Sequence, residues 1–332
     1  MNSNLESIDN VLSKARELGM GEKSIVLLEE QMRNGVDRIA VTDLYAAKRG
    51  QVEATTFINQ SNRSENYYIS KFQVAYNQGK VLDEGLKFFV TLPERDGEKR
   101  FQGIEGTLAA IDLFKQQKGE SALSYGKTFG DSQVVATMTD GKIDSINAEF
   151  QRTFRLVPRT QTVWLDRGKG TSIPQGANLI QGKYVHRDDM LNSLKGEIYS
   201  AWIKYDFDSP KFRDNYQVLQ FSGEERFDPR AELEKYNIKE LADPKQFAAL
   251  ETRLSNGDSP VITAIGKDGK GLELTIEVEA RYKKLNFFDK DGGVQKREQF
   301  LKEPGKNMEI NSGKKNDKKV EKDAAASQEM SR

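Results

Sequence analysis

The sequence predicts an α+β protein with two related helix-plus-antiparallel-sheet units, a middle insertion and a disordered C-terminal tail. Three observations carry this. Segments with helical spacing are followed by runs that alternate apolar and polar residues with period two. The order helix, Asn-Gly stop, strand, turn, strand, strand occurs near both ends: a slide of 222 residues aligns Met32 with Leu254, Asn34-Gly35 with Asn256-Gly257 and Val52 with Leu274. From about Lys302 the chain has almost no large apolar residues. A chain of 332 residues also exceeds the usual growth limit of one core, about 250–300 residues. The expected domains are 1–120, a basic and aromatic insertion at 121–177, a second unit at 178–301, and the tail at 302–332.

Leu5, Ile8, Leu12 and Ala15 fall on one helical face, which Gly19 and Gly21 interrupt. "EKSIVLLEEQMRNG" is a second helix, stopped by Asn34-Gly35. Strands follow at Ile39–Leu44 and "QVEATTFIN". After the polar loop "QSNRSEN" comes "YYISKFQVAY", alternating through Tyr68, Phe72, Val74 and Tyr76. "GTLAAIDLFKQQ" reads as an amphipathic helix capped by Thr107. "HRDDMLNSLKG" also reads as a helix, and "IYSAWIKYDF" and "NYQVLQF" as long strands. "DPKQFAALETRLSNG" takes Asp243 as cap and Pro244 as first helical residue. Strands at Pro260–Ile265, "LELTIEVEA" and "YKKLNFF" complete the second unit.

Lys+Arg and Asp+Glu are each 51, so no net charge steers the chain towards nucleic acid or an anionic membrane. There is no cysteine, which excludes disulfides, zinc–thiolate sites and thiol nucleophiles. The single histidine, His186, excludes multi-histidine sites. A mean hydropathy of −0.70 and short apolar runs imply no membrane span. "MNSNLESIDN" lacks the pattern of a signal peptide, so the expected location is the cytoplasm.

The Asp-Gly steps at 96–97, 140–141, 268–269 and 291–292 raise the question of calcium loops. From Asp289, the fifth, sixth and twelfth loop positions are Gly293, Val294 and Phe300, where a calcium loop needs a ligand, glycine and glutamate. From Asp268, Lys270 and Leu272 stand where oxygen ligands belong. Tight turns are the expectation. "GESALSYGKT" lacks the first phosphate-loop glycine, since Ser121 occupies that place, and in "RGKGTS" Gly170 follows the lysine. His186, Asp188 and Asp189 read as residues at a helix start, and Asp206 with Asp208 as a strand end and its turn. No metal or cofactor is expected.

One local charge bias remains. Arg152, Arg155, Arg159, Arg167, Lys169, Lys183 and Arg187 are interrupted by one acid, Asp166, and Phe154, Trp164 and Tyr184 lie among them. Cations that neutralise phosphates and aromatics that stack on bases are the means of holding single strands. Arg152, Arg155, Arg159, Trp164, Arg167 and Lys169 are therefore candidate nucleic-acid contacts. In "TVWLD", Val163 and Leu165 share one face, and Trp164 shares the other with Thr162 and Asp166.

"SENYYISKFQVAY", "IYSAWIKYDF", "NYQVLQF", "RFDPRAELEKYNIKELADPKQFAALETRLSNG" and "ARYKKLNFFDKDGG" resemble blocks of a family of uncharacterised Bacteroidetes proteins carried on conjugative and other mobile elements. The resemblance covers roughly 19–117 and 178–293, so the stretch 120–171 looks like an insertion. It implies a genomic setting beside mobilisation proteins and topoisomerases, and brings no catalytic residue. The expected function is a non-enzymatic accessory protein of a mobile element, working through a protein partner. The alternative is a nucleic-acid-binding accessory using Arg152–Arg187, and the weakest reading is a carboxylate-based enzyme.

Overall fold

The computed structural model describes residues 2–95, 98–165, 170–192, 194–223 and 226–302. Helices α1 (Asn2–Glu17) and α2 (Glu22–Arg33) precede a meander of β1 (Arg38–Ala46), β2 (Gln51–Gln60) and β3 (Tyr67–Asn77). The helices cover one face of this sheet, and Ile8, Leu12, Ala15, Ile25, Leu28 and Met32 pack on Val41, Val52, Phe72 and Val74. Tyr67 ties sheet to helices, its N–H donating to Ser7 Oγ at 2.8 Å and its hydroxyl to the Met32 carbonyl.

Strands β4 (Lys87–Arg95) and β5 (Glu98–Ile104), helix α3 (Thr107–Lys115), then β6 (Ser121–Gly126), β7 (Gln133–Thr139) and β8 (Lys142–Ile146) make a second sheet in the order β5-β4-β6-β7-β8. The expected boundary at 120/121 falls inside it, because β6 pairs with β4. Phe88, Phe114, Leu123, Phe150 and Phe154 form its core. Helix α4 (Gln151–Arg155) leads to β9 (Arg159–Trp164), which returns to the first sheet and pairs with β3. The strands of the expected insertion are thus shared between two sheets.

Helix α5 (Ile173–Ile180) was not anticipated by pattern, though "SIPQ" carries a capping box: Ser172 Oγ accepts from the Gln175 N–H while Gln175 caps the Ser172 N–H. It lies on the first sheet, and Gly176 allows the approach: a Cβ there would stand 2.8 Å from the Phe72 ring. Then come β10 (Val185–Asn192), β11 (Glu197–Asp206) and β12 (Gln217–Ser222), a three-stranded sheet. The helix expected at "HRDDMLNSLKG" is corrected here. Val185, His186 and Met190 pair with Ile203, Trp202 and Tyr199, and the ladder offered by β11 outweighs the local helix preference of Asp188-Asp189, which sit where the register shifts.

Helices α6 (Pro229–Leu233) and α7 (Pro244–Ser255) precede the meander β13 (Val261–Ile265), β14 (Gly271–Glu279) and β15 (Lys284–Phe288), with β16 (Val294–Gln295) at its edge. Asp243 caps α7 as expected, accepting the Lys245 N–H. Helix makes up 26% and strand 41%, and every strand pairing described is antiparallel, which makes the class α+β. A helix followed by a three-stranded meander occurs at α2, α3, α5 and α7. Element order alone therefore does not single out the first and last.

The Asp-Gly steps are turns. Asp140 and Gly141 both have positive φ (49° and 76°), as a two-residue hairpin requires, and Gly269 and Gly292 have φ of 76° and 82°. Asp96-Gly97 and the tail beyond Lys302 lie outside the described residues.

Candidate nucleic-acid interface

Among the described residues, the members of the expected basic cluster lie on different elements and faces. Arg152 and Arg155 are exposed on α4, while Phe154 between them is buried in the second core. Arg159 lies five residues before Trp164 on β9, so the two point to opposite sides of the sheet. The Arg159 guanidinium sits 4.1 Å from the centre of the Phe207 ring. Arg167 and Lys169 lie outside the described residues. Arg187 is 12% exposed, pairs with Asp189 at 2.5 Å and donates to Thr171 Oγ1. Tyr184 is buried.

Trp164 instead joins a different set of residues, on the face of the first sheet away from α1 and α2. The register β1-β2-β3-β9 arranges that face in cross-strand rows. One row is Ala40, Phe57, Lys71 and Trp164. Lys71 Nζ lies 5.1 Å from the Phe57 ring centre and 4.8 Å from that of Trp164, so the row is a cation between two aromatics. The next row is Thr42, Thr55, Gln73 and Thr162. Its groups are hydrogen-bonded along the row, Thr42 to Thr55 at 2.8 Å and Gln73 Nε2 to Thr162 Oγ1 at 3.4 Å. On the other side stand Arg38, Asn59 and Tyr68.

The position of Tyr68 corrects an expectation. Strict alternation would bury it beside Phe72, yet it is 50% exposed. A bulge is the cause: Phe57 pairs with Lys71 and Ile58 with Ile69, which leaves Ser70 as an extra residue and inverts the parity before it. Ser70 Oγ holds the bulge, donating to the Phe57 carbonyl and accepting from Asn59 Nδ2. Trp164 is 65% exposed, and Val163 and Leu165 pack on the core side as their alternation predicts.

No side chain in these three rows is acidic. Among the described residues the acid of this face is Glu53, one row further on, and it is sealed beneath α3. Its carboxylate accepts the Leu108 and Ala109 N–H groups at 2.6 and 3.1 Å. Gly106, not Thr107, is the N-cap of α3, and Glu53 supplies the cap from a neighbouring sheet. Burial pushes its carboxyl above the usual carboxylate range, and the two N–H bonds pull it partly back. A Cβ at Gly106 would meet the Glu53 carboxylate at 2.4 Å, which explains the glycine.

A cleft of about 270 Å³ lies between the first and last sheets, lined by Lys48, Arg49, Lys183, Lys204, Asp258, Glu277 and Glu279. Burial lowers the pKa of Lys183, and Glu277 and Asp258 raise it in part. Glu279 accepts the Tyr184 hydroxyl at 2.5 Å and Glu277 that of Ser259 at 3.0 Å. Signs alternate here, and the C-terminal ends of α5 and α7 meet at Gly182 and Gly257, so the cleft has no single charge preference.

His186 leans on Trp202 with ring centres 5.2 Å apart, and burial lowers its pKa. Asp206 accepts the Asp208 and Ser209 N–H groups and the Ser209 hydroxyl, which spends it on the turn. Among the described residues no group of three His, Cys, Asp or Glu side chains is placed to hold a metal ion, and no helix is long and apolar enough to cross a membrane. No protein-family model, curated protein or solved structure matches the chain.

Proposed function

We propose that the protein is a non-enzymatic accessory protein that works in the cytoplasm by binding, in the mobile-element setting its sequence resemblance implies. The observation that carries this reading is the outer face of the first sheet. Surfaces of chains with 31% charged residues usually mix both signs, and three neighbouring rows that bear exposed Trp164 and Tyr68, two cations and, among the described residues, no acid depart from that. Transfer of the element tests it. Loss of the gene should lower transfer, the wild-type chain should restore it, and Lys71→Glu, which puts an acid at the centre of the face, should not. Equal transfer without the gene, or full rescue by Lys71→Glu, would sink the reading.

A second reading is nucleic-acid binding through the region Arg152–Arg187, favoured by the exposure of Arg152 and Arg155 on one short helix. We also infer that the units headed by α2 and α7 are copies of one ancestral unit. The support is their helix ends, which match at the spacing of 222: Gly35 N–H to Met32 and Val36 N–H to Gln31, against Gly257 N–H to Leu254 and Asp258 N–H to Arg253. Gly19 and Gly182 close α1 and α5 with the same pattern, so capping chemistry alone can produce it. Related sequences should keep Asn-Gly at both positions together. Independent loss of one would count against common descent.

A further inference from the structure

We infer that the outer face of the first sheet binds single-stranded nucleic acid. The inference rests on the reading of that face as a binding surface and gives it a ligand. It differs from the sequence expectation in its residues, since only Trp164 belongs to both.

The chemistry of the face selects the ligand. A single strand offers flat, unpaired bases and a phosphate at every step, so its receptor needs exposed rings, cations between them and no carboxylates. Trp164 and Tyr68 supply the open rings, and Phe57 a half-buried one. Lys71 stands between Phe57 and Trp164, within about 5 Å of both ring centres, where a phosphate linking two stacked bases would lie. Arg38 provides a second cation in the Tyr68 row. Four strands spaced about 4.8 Å apart make a face about 14 Å wide, which accommodates a few nucleotides. Gln73 and Thr162 add donors and acceptors that can meet base edges or sugar hydroxyls. A duplex keeps its base faces stacked inside and would forgo the rings, so single strands are preferred.

The sheet is also built to hold these groups in place. Lys71, Phe57 and Trp164 sit on three adjacent strands of one ladder, and their spacing is fixed by backbone pairing. The far edge of β9 is closed by the loop before β12: the Thr162 N–H donates to Asn215 Oδ1, and Gln161 exchanges two bonds with the Tyr216 backbone. A preformed platform loses little order on binding, in contrast to a flexible arm. Lys211, on the same loop, reaches the Thr160 carbonyl at 3.2 Å and brings a further cation to that edge.

The experiment is a polarisation titration of the full chain against fluorescein-labelled oligodeoxythymidylate and oligouridylate of about 12 nucleotides, a length typical of single-strand sites. A duplex of equal length is run beside them at about 50 mM salt, where phosphate contacts are least screened. Expected is preferential binding of the single strands, weakening steeply towards about 200 mM salt. Trp164→Ala should weaken it about 5- to 140-fold, which corresponds to 1–3 kcal/mol at 1.4 kcal/mol per tenfold. Trp164→Phe should recover part of this, and Lys71→Glu should remove most binding. Lys245→Glu, exposed on α7, should leave it unchanged. Acrylamide quenching gives a second readout that needs no variant: Trp164 is exposed and Trp202 fully buried, so oligonucleotide should shield the quenchable fraction. No binding of either strand type at about 50 mM salt would overturn the inference. So would binding that survives Lys71→Glu but is lost in Arg152→Glu/Arg155→Glu, which would move the ligand to α4. If Lys71→Glu blocks element transfer while oligonucleotides fail to bind, the face remains a binding surface and only its assigned ligand falls.

Discussion

Glu53 and Trp164 share one side of the first sheet, yet one is 4% and the other 65% exposed. The difference is α3, whose first N–H groups require an acceptor and find it in Glu53. Glu53→Gln would turn an amide donor towards one of those N–H groups, at a cost of about 1–3 kcal/mol for the lost and unsatisfied bonds. Because burial raises the carboxyl in the fold, its contribution is fully present below about pH 4.5 and is lost as pH rises through the folded value. The gap between wild type and Glu53→Gln should therefore narrow from pH 4.5 to 7, as urea midpoints would report; a gap that widens contradicts the assignment. Lys183 is shifted the other way, below its usual range, foremost by burial. A depressed amine gives stability above its unfolded value that is lost as pH falls, so its charge is a cost at neutral pH. Lys183→Met keeps the stem and removes the charge, and its melting temperature should equal or exceed that of wild type. A clear fall would mean that Glu277 and Asp258 depend on it.

Helix ends are where local sequence speaks most clearly. Gly35 and Gly257 occupy equivalent left-handed positions, with φ of 73° and 81°. Gly35 has open space around a prospective Cβ, whereas one at Gly257 would stand 2.7 Å from the Tyr184 carbonyl oxygen. Gly35→Ala should thus cost only the backbone penalty, about 1–2 kcal/mol, and Gly257→Ala distinctly more. Thermal unfolding of the two variants checks this, and equal losses would show that the surrounding packing yields. The Asn-Gly stops, the Asp243 cap and the strands of the first and last meanders are legible in the sequence because capping and alternation are local rules, whereas the second sheet, β4–β8, is not. "HRDDMLNSLKG" departs from the helix its pattern predicts because the rule it obeys is not local: Asp188-Asp189 resemble a helix start until β11 is beside them. Helix α5 hid behind Gly176, a poor helix former whose reason lies in the Phe72 ring of another element. The candidate face was only partly readable. The outward side of Trp164 follows from "TVWLD", but its partners Lys71 and Phe57 lie on β3 and β2, far earlier in the chain. The bulge at Ser70, which turns Tyr68 outward, leaves no mark in the alternation.

At the scale of the whole molecule, three cores must be joined by something other than net charge, and β11 is the joint between two of them. Ala201, Ile203 and Tyr205 point into the core of the first sheet, while Trp202 between them is buried in the core of α7 and β13–β15. The start of the preceding strand repeats this, with Val185 on the first side and Tyr184, the residue before it, on the second. Polar bonds reinforce the seam: Asn178 Nδ2 donates to the Asn256 carbonyl and to Asp258 Oδ1, both at 2.9 Å. A strand that is wall to both cores cannot lose one without exposing apolar surface belonging to the other, so the two should unfold together. Trp202 is the probe. Its indole donates to the Phe227 carbonyl at 2.9 Å, and in Trp164→Phe it is the sole tryptophan. In that variant the emission of Trp202, which reports the second core, and the far-ultraviolet circular dichroism of the whole chain should follow one denaturation curve through the melting of both cores. Trp202→Ala removes a fully buried ring and should cost about 3–5 kcal/mol, lowering the melting of both cores. Two separated transitions in the circular dichroism, only one of them shared with Trp202 emission and lowered by Trp202→Ala, would show that β11 lies between the cores without coupling them.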